Sequence, residues 1–263
     1  MPSTDRSFIR HSRGAALAGA VLGIVALAGC SPSGANTPPA GAAPSASAPV
    51  TARPAASPSV TSLSFGYHAH GKQEFIDQTL SITNTGHTSV VPTLALTAVD
   101  SAGKDLPDVQ VRTAYGSDRG GLVVQHGGSH DVLAFSGEHA GQVADVRVTV
   151  KELVPADLPA GSSAVEAKPA DAAGQPLTKF DAFDQVVLKN PNTTAVSVRV
   201  VYLVYDQPKD GSPQQAVEVV PIGGLTTIPA GGSSSVTVSG DAKAAVQKFS
   251  HGPAVSIKPY FSR

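Results

Sequence analysis

The sequence predicts an all-β protein made of two tandem antiparallel β-sandwiches. Three observations carry that expectation. Apolar runs alternate with period two and are rich in Val, Leu, Ile and Thr, and each run stops at Gly, Asn, Asp or Pro. Helical signals are almost absent, since only Asp241–Phe249 could make a turn or two. The same pattern also occurs twice.

In the first copy, Leu80-Ser-Ile-Thr-Asn84 is followed by Pro92–Asp100 and a turn at Gly103. In the second, Val186-Val-Leu-Lys-Asn190 is followed by Val198–Asp206 and a turn at Gly211. The offset is 106 through both strands and 108 at the turn glycine. Gly120-Gly-Leu122, Gly127-Gly-Ser129 and Ser136-Gly137 then match Gly223-Gly-Leu225, Gly231-Gly-Ser233 and Ser239-Gly240, at offsets of 103 or 104. Each copy closes on a further alternation, Val146–Val150 and Val255–Ile257. Six or seven short strands in roughly 95 residues suit an immunoglobulin-like sandwich. Neither copy has the Cys and Trp pair of antibody domains, so side-chain packing has to hold the sheets together. The expected organisation is residues 1–29 as a leader, 30–60 as a tether, 61–154 as the first module, 155–179 as a connector and 180–263 as the second module. Ser162–Lys168 is a candidate first strand of that second module.

Composition narrows the function. Of 263 residues, 41% are hydrophobic and only 15% charged, and the formal charge is −1. No basic field exists to wrap nucleic acid. A single Cys excludes a disulfide framework within the chain.

That Cys has an informative place. Arg6, Arg10 and Arg13 precede an uncharged apolar run, Ala15–Ala28, which is too short for a comfortable membrane-spanning helix and suits an export signal. The run ends in Leu27-Ala28-Gly29-Cys30, which resembles the lipobox of bacterial lipoproteins. The resemblance implies that the Cys30 thiol receives a diacylglyceryl group and that cleavage leaves Cys30 as the mature N-terminus. The protein would then be lipid-anchored at the extracytoplasmic face of the cell membrane, with membrane lipid as its partner through Cys30. Two acyl chains hold a protein far more firmly than one. Residues 1–29 carry three Arg and one Asp, so 16 basic and 19 acidic side chains remain beyond them. Residues 31–60 contain 22 Ala, Pro or Ser and one charge, Arg53. Such a segment cannot bury enough apolar surface to offset its ordering entropy. It is expected to be a disordered tether reaching between about 30 Å as a coil and about 90 Å extended.

Tyr202-Leu-Val-Tyr-Asp206, within a strand and ahead of a Gly-containing turn, resembles the FxLYD motif of prokaryotic extracytoplasmic modules, with Tyr for Phe and Val for Leu. Asn190 upstream and Pro229–Ser233 downstream fit that kind of module. The first copy keeps Leu96, Val99 and Asp100 in a similar frame. The resemblance implies a β-sandwich outside the cytoplasm and carries over no catalytic residue.

No Gly-x-Ser-x-Gly, His-Glu-x-x-His, P-loop or dinucleotide fingerprint occurs. Ser101-Ala-Gly-Lys104 has a Ser-x-x-Lys spacing, but a Gly-containing β-turn cannot bring Lys against Ser as a helical turn does. Six of eight histidines fall in the first module: His68, His70, His87, His126, His130 and His139. His68 and His70 share one face of a strand. Zinc or copper(II) handling on this His-rich face is the alternative reading. Histidines in loops and at strand ends are ordinarily solvated, so no metal ligand, cofactor or catalytic residue is assigned. Asp206, Asp210 and Gly211 lack the remaining ligands of a calcium loop. Asn192-Thr-Thr194 is a formal glycosylation sequon without meaning in a bacterial export context.

One strand breaks the polar-out rule. Val198, Val200, Tyr202 and Val204 face one side, and Val201, Leu203 and Tyr205 make the other side apolar too. This stripe is the candidate interaction face. Its cover is expected to come from the first module or the connector, and otherwise from an envelope protein or cell-wall component. The functional expectation is a non-catalytic binding or structural role in the envelope, with an assembly or chaperone-like accessory as a third reading.

Overall fold

Each alternating run becomes a strand, and every strand pairing is antiparallel. The computed structural model describes residues 58–70, 77–178, 182–252 and 254–263. The leader and most of the tether, with Cys30, lie outside the described residues. In chain order the strands are β1 (Leu63–His68), β2 (Thr79–Asn84), β3 (Val90–Val99), β4 (Gln110–Thr113), β5 (Ser129–Ser136) and β6 (Asp145–Pro155). They continue as β7 (Glu166–Ala170), β8 (Gln185–Lys189), β9 (Val196–Tyr205), β10 (Ala216–Ile228), β11 (Ser233–Thr237) and β12 (Val255–Phe261). The one α-helix among the described residues, α1 (Gly240–Lys248), falls where the helical signal lay. It buries Ala242, Ala245 and Val246, the i, i+3, i+4 face.

The first half forms a four-stranded sheet, β1-β2-β5-β4, and a pair, β3-β6. The second half forms β11-β8-β7 and β10-β9-β12. The fold is an all-β sandwich architecture, and no sheet closes into a barrel.

The duplicated residues do the same physical work in both halves. Asn84 and Asn190 are each fully buried; Asn84 is the last residue of β2 and Asn190 directly follows β8, the second strands of their copies. Asn84 Nδ2 donates to the carbonyls of Thr88 (2.9 Å) and Val124 (3.4 Å), and its Oδ1 accepts from the Gly86 N–H. Asn190 Nδ2 donates to the carbonyls of Thr194 (2.8 Å) and Ile228 (3.3 Å), and its Oδ1 accepts from the Asn192 N–H. Each amide thereby ties an exposed connecting turn to the chain that crosses it, and the buried amide group is itself satisfied.

The copies diverge at their fourth strand. In the second half this segment, β10, pairs with β9. In the first, β4 pairs with β5 in the opposite sheet, and the chain touches β3 through isolated bridges, Val99 with Asp105 and Val90 with Val124. The connector is also more structured than its composition suggests. β7 lies inside it and pairs with β8, a few residues beyond the start expected for Ser162–Lys168. Leu158 and Val165 are buried in the second core. The period-two signal was weak there because β7 reads Glu-Ala-Lys-Pro-Ala, with Pro169 tolerated on an edge strand.

Strand β9 joins the two halves. Val198, Val200, Tyr202 and Val204 enter the core of the second sandwich, together with Val186, Leu188 and Ile222. Val201, Leu203 and Tyr205, exposed by only 2%, 0% and 4%, enter the core that holds Leu80, Ile82, Leu133 and Phe135 of the first. The stripe is therefore covered from within the chain, by the first sandwich, and presents no outer face. Residues Pro54–Arg263 form one compact unit.

Candidate functional site: the seam between the sandwiches

The outer face of β10-β9-β12 lies against the β4–β5 side of the first sandwich. Cross-strand register places Arg199 beside Tyr260, Val201 beside Lys258 and Pro221, and Leu203 beside Ser256 and Val219. Tyr260 stacks on Tyr115, with ring centroids 4.9 Å apart and planes at 26°. Hydrogen bonds stitch the edges. Val123 N–H donates to the Phe261 carbonyl (2.9 Å), Ser262 Oγ to the Gly121 carbonyl (2.6 Å) and Phe135 N–H to Gln215 Oε1 (2.8 Å). The buried Asp77 carboxylate accepts from the Gln214 N–H (2.5 Å).

Behind this surface, Asp131 is fully buried. Its Oδ1 accepts from the N–H groups of Tyr115 (2.7 Å) and Val132 (2.8 Å), and its Oδ2 from that of Ser117 (3.0 Å). Burial pushes its pKa above the ordinary carboxylate value, and the three N–H donors oppose that rise. Asp131 thus orders residues 113–119, the loop that carries Arg119 to the seam.

The most distinctive chemistry is an arginine-lined cavity of about 320 Å³ at one end of the seam. Arg119 comes from a 3₁₀ turn (Ser117–Arg119), Arg199 from β9, and Arg263 from the residues after β12. Tyr260, Val200 and Pro221 complete much of the wall, with Gly120, Gly121 and Gly223. No Asp or Glu side chain lines it. Gly120 and Gly223 are repeat-matched and both left-handed, with φ of +68° and +65°. A Cβ on Gly223 would collide with Val236 Cγ1, and one on Gly120 would sit 3.1 Å from Thr93 Oγ1. Arg119 pairs with Asp118 at 2.9 Å on the open side. Burial raises the Tyr260 phenol above its ordinary pKa, while Arg119 and Arg199 pull it down, so both charges act on the ring. A neighbouring cavity of about 240 Å³ is lined by Arg112 together with Arg119, Val201 and Tyr260. Four of the five arginines among the described residues therefore line this seam.

Other residues singled out in the sequence fall elsewhere. Ser101, Ala102, Gly103 and Lys104 are exposed at a hairpin tip. Asp100 Oδ1 accepts from the N–H groups of Ala102 and Lys104, each at 2.9 Å. The same device recurs where Asp171 Oδ1 accepts from Ala173 and Gln175. The histidines separate. His68 stacks on His70 (6.2 Å), His87 on His126 (6.0 Å), His130 meets the edge of Tyr115, and His139 Nδ1 lies 3.0 Å from Asp108. Asp206 and Asp210 accept from their own loop, at the N–H groups of Gln215 and Ser212. Among the described residues no three His, Cys, Asp or Glu side chains converge to hold a metal. The Asn192 amide of the sequon donates to the carbonyl of Ser163 and to Asn190 Oδ1.

Sequence reasoning missed the arginine cavity, because its three arginines come from distant parts of the chain and meet only when the sandwiches dock. The one local signal was Arg199, which continues the Val201-Leu203-Tyr205 stripe on the same face of β9. Comparison with known proteins found no matching family model, no matching curated protein and no matching solved structure.

Proposed function

We propose that this chain is an exported lipoprotein, held to the extracytoplasmic face of a cell membrane by acyl chains on Cys30. From there it presents a fused double sandwich that binds or braces a component of the envelope, without catalysis. The observation that carries the reading is Leu27-Ala-Gly-Cys30 at the end of an uncharged apolar run, with the chain's single thiol at the processing position. The Ala/Pro/Ser-rich segment that follows suits a tether. A non-catalytic role is supported by Ser101 and Lys104, the one pair with a catalytic spacing, lying on an exposed turn whose hydrogen bonds serve the turn itself. Among the described residues no helix is long and apolar enough to cross a membrane.

Expression in a bacterial host tests the anchor. The wild-type chain is expected to begin at a diacylglyceryl-modified Cys30 by mass analysis and to partition into detergent. Cys30→Ala is expected to lose the modification and the partitioning. An unmodified Cys30 in the membrane-bound wild-type protein would refute the assignment.

A further inference from the structure

We propose that the arginine cavity at the seam is a binding site for a phosphomonoester, the phosphoryl group held by Arg119, Arg199 and Arg263. The inference stands on the cavity alone and does not depend on the anchor at Cys30.

Guanidinium groups are planar donor forks that match the oxygens of phosphate, and they keep their charge at any physiological pH. Among the described residues, Arg199 and Arg263 make no side-chain hydrogen bond or ion pair, and Asp118 offsets only Arg119. The site thus holds more positive charge than it neutralises, even against an α-carboxylate on Arg263. A phosphomonoester carries between one and two negative charges at neutral pH, which suits this surplus better than a lone carboxylate does. The 15% charged composition sharpens the point. Charge is scarce in this chain, yet three arginines line one cavity with no acidic side chain in its wall.

Shape supports an organic phosphate over the bare ion. A volume of about 320 Å³ exceeds the space of one phosphoryl group. Tyr260 and Pro221 offer an aromatic and apolar wall for a short carbon skeleton beside the arginines. The glycines at the mouth matter as well. Gly120 and Gly223 hold left-handed backbone at the wall, and a side chain at Gly120 would intrude toward Arg263, whose Nη2 lies 3.9 Å from the position of a Cβ. The same chemistry can arrive free in solution or as the headgroup of a lipid.

Calorimetric titration of the full chain in detergent with glycerol 3-phosphate tests the soluble form. Co-flotation of the full-length Cys30→Ala chain with phosphatidylcholine vesicles containing phosphatidic acid, compared with phosphatidylcholine alone, tests the lipid form without the acyl anchor. Saturable binding of either probe is expected at low ionic strength, weakened by salt. Arg199→Gln and Arg263→Gln are each expected to weaken it about tenfold or more, as loss of a charge-assisted bond implies. Arg199→Lys keeps the charge without the fork and is expected to restore part of the affinity. Arg147→Gln, at an exposed arginine paired with Asp105 away from the cavity, is expected to change nothing. Thermal midpoints of the unliganded variants separate loss of binding from loss of fold. Binding of neither probe at millimolar concentration, or binding that folded Arg199→Gln and Arg263→Gln retain in full, would overturn the proposal. Binding of glycerol 3-phosphate alone supports the soluble form, and flotation alone supports the headgroup form.

Discussion

Leu203 is fully buried at the centre of the stripe through which the second sandwich meets the first. Leu203→Ala removes most of an isobutyl side chain from this interface. Burying a side chain of that size contributes about 1.5 to 3 kcal/mol. A cavity term adds to this when the surroundings cannot collapse, and comparable core substitutions cost about 2 to 5 kcal/mol in total. Here collapse is restricted, because Phe135–Gln215, Asp77–Gln214 and Val123–Phe261 hydrogen bonds hold the two faces at fixed separation. The expected loss is therefore about 3.5 to 5 kcal/mol, in the upper half of the range. Because β9 supplies side chains to both cores, the wild-type protein is expected to unfold in one cooperative transition. The chain has no Trp, so far-UV circular dichroism in a urea series is the practical readout. A loss below about 1 kcal/mol would refute the reasoning, since it would place Leu203 among ordinary surface positions.

Three further substitutions test how the copies differ and what the buried charge does. Leu122 and Leu225 occupy matched positions, but Leu122 is 2% exposed at the seam and Leu225 44% exposed. Denaturation curves should show Leu122→Ala losing about 2 to 4 kcal/mol and Leu225→Ala within about 0.5 kcal/mol of wild type, and equal losses would contradict the docking. Asp131 has a folded-state pKa above its unfolded value, so the folded protein binds its proton more readily. Its contribution to stability should rise as pH falls through the folded pKa toward the ordinary carboxylate value, and shrink again as pH rises. Measured against Asp131→Asn across that window, wild-type stability should gain on acidification, and a constant difference between the two proteins would remove the buried-charge assignment.

Much of the architecture was legible because each sandwich is built from local rules. Period-two alternation marks strands whatever they pair with, and the duplicated Asn84 and Asn190 mark strand ends whose turns are held by a buried side-chain amide. The double-sided apolarity of β9 could be read directly, since neighbouring side chains on a strand must point to opposite faces. That its second face would be covered from within the chain was expected too, but not that the first module rather than the connector supplies the cover, because Leu80, Leu133 and Phe135 look like the core of a self-sufficient module. For the same reason matched residues with identical side chains, Leu122 and Leu225, end in opposite environments. Pairing partners were also beyond local pattern. β4 and β10 descend from the same repeat position, yet one joins β5 and the other β9. The sequence by itself determined which segments are strands, which side chains each can bury and that the pattern is doubled. The tertiary structure alone decided that the two sandwiches share a core and that Arg119, Arg199 and Arg263 meet around one cavity. Strand formation depends on neighbours along the chain, whereas a seam depends on surfaces that come together only after both sandwiches have formed.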